Sequence, residues 1–232
     1  MKNNAKRFAS IVGIGLALIM PMNKTFADSD LLKQLSAEWW QWALSIPTSV
    51  NPLADTTGDN AFVGQRGPVW FLAGVFNGST ATRTCSVPEG EQLFFPVINQ
   101  INFNTPRVCG QNGKNLTVSD LRALSAAFID GAVNLSVTLD GKTITMQRVQ
   151  SVAFAVAVPQ DNFFVSPCAD LGGFPAGIYS PAVDDGFYVL LNPLNRGTHH
   201  LHFHAERPEQ DPTMSFILDV TYTLKVVPIL LK

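Results

Sequence analysis

The sequence predicts a mainly β fold: a β-sandwich, jelly-roll or immunoglobulin-like in style, with two short inserted helices. Three observations predict it. About nine segments of strand length carry either a period of two or a continuous apolar run. Two Asx-Gly pairs, Asn77-Gly78 and Asp140-Gly141, sit between such segments, and this dipeptide is the strongest short hairpin signal. Only two segments show helical spacing, so strands followed by short turns dominate, as in sandwiches.

The elements follow in order. Ser29 to Ser45 is an amphipathic helix, because Leu32, Leu35, Trp39 and Trp42 recur at steps of three and four. Pro47 stops it. Residues 51–68, rich in Asp, Asn, Gly and Thr, read as a long loop. Val69–Phe76 and Thr80–Val87 are strands on either side of Asn77-Gly78, expected to form a hairpin. Gln92–Asn99 is a third strand, and Pro96 inside it predicts an edge strand or a bulge. After a loop over 100–116, Thr117 and Asp120 have capping-box spacing ahead of a helix with Leu121, Leu124 and Phe128 on its apolar face and Gly131 at its end. Val133–Leu139 and Thr143–Arg148 flank Asp140-Gly141 as a second hairpin, and Ser151–Val158 is a further strand. Residues 159–184 read as an irregular connection. Gly186–Leu191, Thr198–Ala205 and Met214–Val227 complete the strands.

Residues 1–27 have the order of a secretory signal peptide. Lys2, Lys6 and Arg7 precede an apolar stretch from Phe8 to Met20, Pro21 breaks it, and Thr25-Phe26-Ala27 is a small-residue cleavage site. The expected organisation is therefore a signal over 1–27 and a single β-rich domain over 28–232, secreted or periplasmic, with no membrane span after cleavage. Of 16 basic residues, four precede residue 28 (Lys2, Lys6, Arg7 and Lys24), leaving 12 against 18 acidic ones, a balance of −6. An acidic balance argues against a nucleic-acid partner. Export argues for a disulfide, and of Cys85, Cys109 and Cys168 the expected pair is Cys85 with Cys109, which flank one strand-and-loop unit.

All four histidines lie in one segment: His199, His200, His202 and His204. On a strand His200, His202 and His204 share one face, about 6.6–7 Å apart, and Leu201 and Phe203 face the core. Two imidazoles at that spacing can bind one metal, and Glu206 continues the parity as a further ligand, so the set points to a divalent transition metal, zinc or copper. The spacing His200-x-His202-x3-Glu206 resembles the first metal motif of cupins, but no histidine follows His204 to supply the second. Trp40, off the helix's apolar face, and Trp70 are the candidate stacking residues for a carbohydrate. Asp55 and Asp59 in the loop lack the register of a calcium loop. The common local signatures of catalysis and nucleotide binding are absent.

Several fragments together resemble a family of secreted bacterial proteins without an assigned function: AEWWQWALSIP, GPVWFLAGVF, CSVPEGEQLFFPVIN, AGIYSPAVDDGFYVLL and PLNRGTHHLHFHA. The resemblance spans nearly all of the chain after residue 27. It implies export and one β-rich domain and carries over no active-site residue. The functional expectation is a secreted binding or surface-interaction domain with an extracellular carbohydrate or protein ligand. The alternative is a metal-binding protein or metal-dependent enzyme centred on the histidine strand.

Overall fold

The chain folds into two five-stranded sheets packed face to face, with a long helix laid across the outer face of one of them. The structure is a computed structural model and describes residues 24–76, 78–211 and 215–228. The expected signal segment lies outside the described residues up to residue 23. Among the described residues no helix is long and apolar enough to cross a membrane.

Helix α1 spans Lys24–Ser45. It is followed by the strands β1 (Val69–Phe71), β2 (Thr80–Pro88) and β3 (Gln92–Phe103), then by helix α2 (Val118–Ile129). Strands β4 (Val133–Leu139), β5 (Lys142–Thr143), β6 (Gln147–Gln150) and β7 (Phe154–Val158) come next. The long strands β8 (Gly177–Leu191), β9 (Gly197–Arg207) and β10 (Phe216–Val227) complete the order. One sheet runs β1-β3-β8-β6, with β7 also paired to β8; the other runs β2-β10-β9-β4-β5. Here they are called the inner and the outer sheet.

Burial explains the residue patterns. The inner sheet is covered on both faces, by α1 on one side and the outer sheet on the other. Its strands therefore read as unbroken apolar runs, such as Leu93 to Ile98 in β3, where every residue is buried. The outer sheet is covered on one face and alternates: Ala81, Arg83, Cys85 and Val87 of β2 point inward and Thr82, Thr84 and Ser86 outward. Phe95 and Phe203 meet across the sandwich with ring centroids 5.1 Å apart.

Several expected elements form and several differ. The Asp140-Gly141 turn has φ of 51° and 74° at its two central residues, the left-handed pair that a two-residue hairpin needs. The Thr117 capping box is complete. The buried face of α2, however, is Leu121, Ser125 and Ile129, while Leu124 is exposed, because α2 packs its 121/125/129 stripe on β3 and β8. Pro96 marks a bulge, with the β3–β8 register shifting between Pro96 and Ile98. The connection after β7 is shorter than expected. Strand β8 already begins at Gly177, and its Asp184 and Asp185 are held inside by hydrogen bonds.

The Asn77-Gly78 hairpin does not form. Asn77 lies outside the described residues, but the strands on either side of it belong to different sheets. β1 pairs with β3 and β2 pairs with β10, both in parallel. The chain crosses from the inner to the outer sheet here, and Arg83 explains why. It is an inward-pointing cation on β2 whose Nε donates to Asp55 O (2.7 Å) and Nη2 to Gly74 O (2.8 Å), while Nη1 donates to Ala73 O and Tyr222 Oη. The departing segment Ala73–Gly74 is thereby tied to the outer sheet. A buried guanidinium without these acceptors would cost several kcal/mol.

The disulfide also differs from expectation. Cys109 is bonded to Cys168, with Cα atoms 5.1 Å apart, and Cys85 is a free, buried thiol. Strand parity sends Cys85 into the core between the sheets, whereas Cys109 and Cys168 pack on the other face of the inner sheet. Burial pushes the Cys85 thiol up to about 11, so it is inert.

Replacing Cys109 and Cys168 by Ser is expected to lower stability by about 4 kcal/mol, the chain entropy released by opening a 59-residue closure, as read by urea unfolding. Thiol titration should find no reactive group in the folded chain and only Cys85 after unfolding without reductant.

Candidate functional site

Strand β1 pairs with only the first three residues of β3, Gln92–Phe94. Beyond Phe94 the edge of β3 has no strand partner on that side, because the chain has left for the outer sheet. A cavity of about 200 Å³ lies along this uncovered edge. Residues 96–101 of β3 form one wall and Gly74, Val75 and Phe76 of the departing segment form another. Trp39 and Trp40 of α1, Phe128 of α2, and Phe216 and Leu218 of β10 also line it. Among the described residues no lining side chain is ionisable; the polar ones are Asn99 and Gln100 and the tryptophan indoles. A wider, open groove of about 730 Å³ runs between α1 and residues 63–71 on the surface. The smaller, less open cavity is the stronger candidate, since a few convergent polar groups in an apolar hollow are what small-ligand sites share.

Both lining indole N–H groups are already used. Trp39 Nε1 donates to Leu72 O at 3.0 Å and Trp40 Nε1 to Asp184 Oδ1 at 2.7 Å. Asp184 belongs to a buried polar chain behind the cavity. Tyr188 Oη donates to Asp184 Oδ2 at 2.8 Å, and Asn99 Nδ2 donates to Tyr188 Oη at 2.9 Å. The Asp184 main-chain N–H donates to Ser151 Oγ at 2.8 Å. Alternation puts residues 184, 186 and 188 of β8 on one face. The middle one is Gly186, where a Cβ would fall 2.6 Å from Asn99 Cβ, so only glycine lets Asn99 sit here. Burial pushes the Asp184 carboxyl well above the usual carboxylate range, and the Trp40 and Tyr188 donors work against it. Its neighbour Asp185 faces the opposite way and takes both Arg148 Nε and Nη2 at 2.9 Å.

The expected site residues lie elsewhere. Leu201 and Phe203 are fully buried and His200, His202 and His204 lie on the outward face of β9, as the alternation predicts. There the imidazoles meet carboxylates. His202 Nε2 contacts Asp219 Oδ1 at 3.2 Å, while His204 contacts Asp219 Oδ2 and Glu206 Oε1, each at 3.0 Å. His199 is bonded to Asp140 Oδ2 at 2.7 Å. Among the described residues no group of three or more His, Cys, Asp or Glu side chains is placed to hold a metal ion. The ligating nitrogens of His204 are both occupied by carboxylates of its own face.

Trp40 is not the exposed platform expected of it. It is 5 % exposed, because α1 is covered on one side by the inner sheet and on the other by the loop that follows the helix. Trp70 is half-buried against the core between the sheets, and its indole N–H is buried without a partner among the described residues. Asp55 accepts the main-chain N–H groups of Thr57, Gly58 and Asn60, so its oxygens close a turn. The residues that sequence reasoning passed over are Asn99, Asp184 and Tyr188. A signal for them exists, an Asp and a Tyr four apart on one face of a strand, but with the strand starting at Gly186 the sequence reading leaves Asp184 in the preceding connection.

The imidazole–carboxylate contacts give a pH dependence. Hydrogen bonding to Asp140 raises the His199 pKa above 6.5, and hydrogen bonding to Glu206 does the same for His204. A histidine whose pKa is higher in the folded chain stabilises it fully below the unfolded value. That contribution is lost as pH rises through the folded value. The urea midpoint is therefore expected to fall between about pH 6 and pH 8, and to fall less in the His199→Gln/His204→Gln variant. Equal slopes in the two proteins would refute the assignment.

A scan against protein-family models finds no match for the chain, and a search of curated proteins finds none. Among solved structures, the chain matches the solution structure of amebosin at 10% sequence identity over 63% of this chain and 96% of that one, with a TM-score of 0.18. A superposition that weak carries no argument about fold or function, so both rest on the geometry of the chain itself.

Proposed function

We propose that the chain is an exported binding domain that takes a small, mainly apolar ligand into the cavity beside β3. One observation carries this reading: the cavity is lined by aromatic and aliphatic side chains, by no ionisable group among the described residues, and by two amide side chains of β3. Its volume of about 200 Å³ suits a ligand of roughly ten non-hydrogen atoms, since a cavity of about 150 Å³ holds benzene. The Cys109–Cys168 bridge fits an oxidising compartment, in keeping with the signal-like residues 1–27. The resemblance to secreted bacterial proteins belongs to the same reading. The fragments that carry it supply Trp39 and Trp40, Gly74 to Phe76, and Pro96 to Asn99, which are cavity walls.

Export is tested by N-terminal sequencing of the protein recovered from the native bacterium. The expected outcome is a chain beginning at Asp28 outside the cytoplasm; a cytoplasmic chain that retains residues 1–27 refutes it. The cavity is tested with toluene and phenol, followed by the fluorescence of Trp39 and Trp40 and by thermal unfolding. Both probes should bind and raise the unfolding temperature. Val75→Phe, which fills the hollow, should abolish binding while the unliganded variant stays at least as stable as the parent. Probes that leave both signals unchanged at saturating concentration sink the reading.

A further inference from the structure

The cavity presents a hydrogen-bond acceptor of defined orientation, and the buried chain behind it sets that orientation. Trp40 Nε1 is a donor only, so Asp184 Oδ1 must accept from it. Tyr188 has one hydroxyl proton, and it goes to Asp184 Oδ2. Tyr188 Oη can therefore only accept from Asn99, which must turn its NH₂ group toward the tyrosine. That leaves Asn99 Oδ1 on the other side. This oxygen has no hydrogen-bond partner among the described residues, and it lies on the side of the amide away from Tyr188. The free space that Asn99 lines is the cavity.

We infer that the site selects small, neutral, mainly apolar molecules that carry a hydroxyl or N–H donor, bound through Asn99 Oδ1, with Trp40, Asp184 and Tyr188 as positioning residues. The inference rests on the cavity being the ligand site. A charged ligand is disfavoured because no ionisable side chain among the described residues lines the hollow to pair with it. A donor is favoured over an isosteric acceptor because an acceptor would face the amide oxygen and leave it unpaired. Gln100, the other amide of the wall, donates its own NH₂ to the Ile101 carbonyl at 3.0 Å.

This order holds while Asp184 is ionised: burial raises its pKa, the Trp40 and Tyr188 donors oppose that rise, and a protonated Asp184 would itself donate to Tyr188 and turn the chain over. In Asp184→Asn the new amide must still accept from Trp40, so its NH₂ faces Tyr188. Tyr188 then donates to Asn99, whose amide turns over and shows NH₂ to the cavity. The same size of hollow should then prefer acceptors.

The experiment measures affinities of phenol, anisole and toluene by calorimetry on the full folded chain. For the parent, phenol should bind about tenfold more tightly than anisole, the ratio expected of one net hydrogen bond. In Asp184→Asn the order of phenol and anisole should reverse. In Tyr188→Phe, which breaks the chain but keeps the ring, the two should bind within about twofold of each other. Toluene should bind all three proteins alike, which separates a change of polarity from loss of the hollow. Equal affinities of phenol and anisole for the parent, or a parent-like preference for phenol in both variants, overturn the inference while leaving the cavity reading intact. Failure of all three probes to bind the parent overturns the cavity reading and the inference with it. Should Asp184→Asn not fold, the levelling expected in Tyr188→Phe decides the matter alone.

Discussion

A buried guanidinium governs the crossing on which the architecture turns. Arg83 points into the core between the sheets, among Ala81, Cys85 and Val87. Its charge is dispersed over three main-chain carbonyls and the Tyr222 hydroxyl, with the guanidinium carbon 5.3 Å from that ring's centroid. Two of those carbonyls belong to Ala73 and Gly74 and one to Asp55. A cation can be kept inside only if such acceptors stay in place, so the segment after β1 cannot continue along β3. It is drawn across to the outer sheet. The short β1, the uncovered edge of β3 and the hollow beside that edge all follow from this one displacement.

The second constraint is that the inner sheet must be buried on both faces. Its continuous apolar strands need cover on the side away from the outer sheet, and α1 supplies it with Leu32, Leu35, Trp39 and Trp42. Three indoles so close together would leave three N–H groups without water. Each finds an acceptor: Leu72 O, Asp184 Oδ1 and Val63 O. The helix is then closed at its C-terminal end by Asn51, whose amide donates to the Ala43 and Ile46 carbonyls at 2.8 Å. The disulfide secures the remaining cover, joining the loop after β3 to the loop that carries Phe163 and Phe164.

Charge is sorted by layer. The histidines and their carboxylate partners lie on the outward face of the outer sheet or at its rim, where water screens them. Arg148 pairs with Asp185 and also with Asp130 at the end of α2. Asp184 is fully buried and bonded to Trp40, which lines the apolar hollow. A polar chain in such surroundings is costly unless every member is satisfied. Here Asn99, whose Nδ2 donates to Tyr188 Oη, joins that chain to the cavity wall.

Much of this was legible from sequence, and the limit has a physical cause. Local periodicity determined the β class, the α1 stripe of Leu32, Leu35, Trp39 and Trp42, the Thr117 cap, the Asp140-Gly141 hairpin and the outward facing of His200, His202 and His204. Each depends on interactions within a few residues or on parity along one strand. What tertiary structure alone decided is which strands share a sheet and which side chains from distant segments converge. Asn77-Gly78 has strong hairpin propensity, but Arg83 and the carbonyls of Ala73 and Gly74 override it. Cys109 reaches Cys168 rather than Cys85 because the inner sheet separates the last from the other two. Trp40, Asn99, Asp184 and Tyr188 come from three elements spread over more than half of the chain. No local pattern records that they meet, because the hydrogen bonds joining them exist only once α1, β3 and β8 have packed.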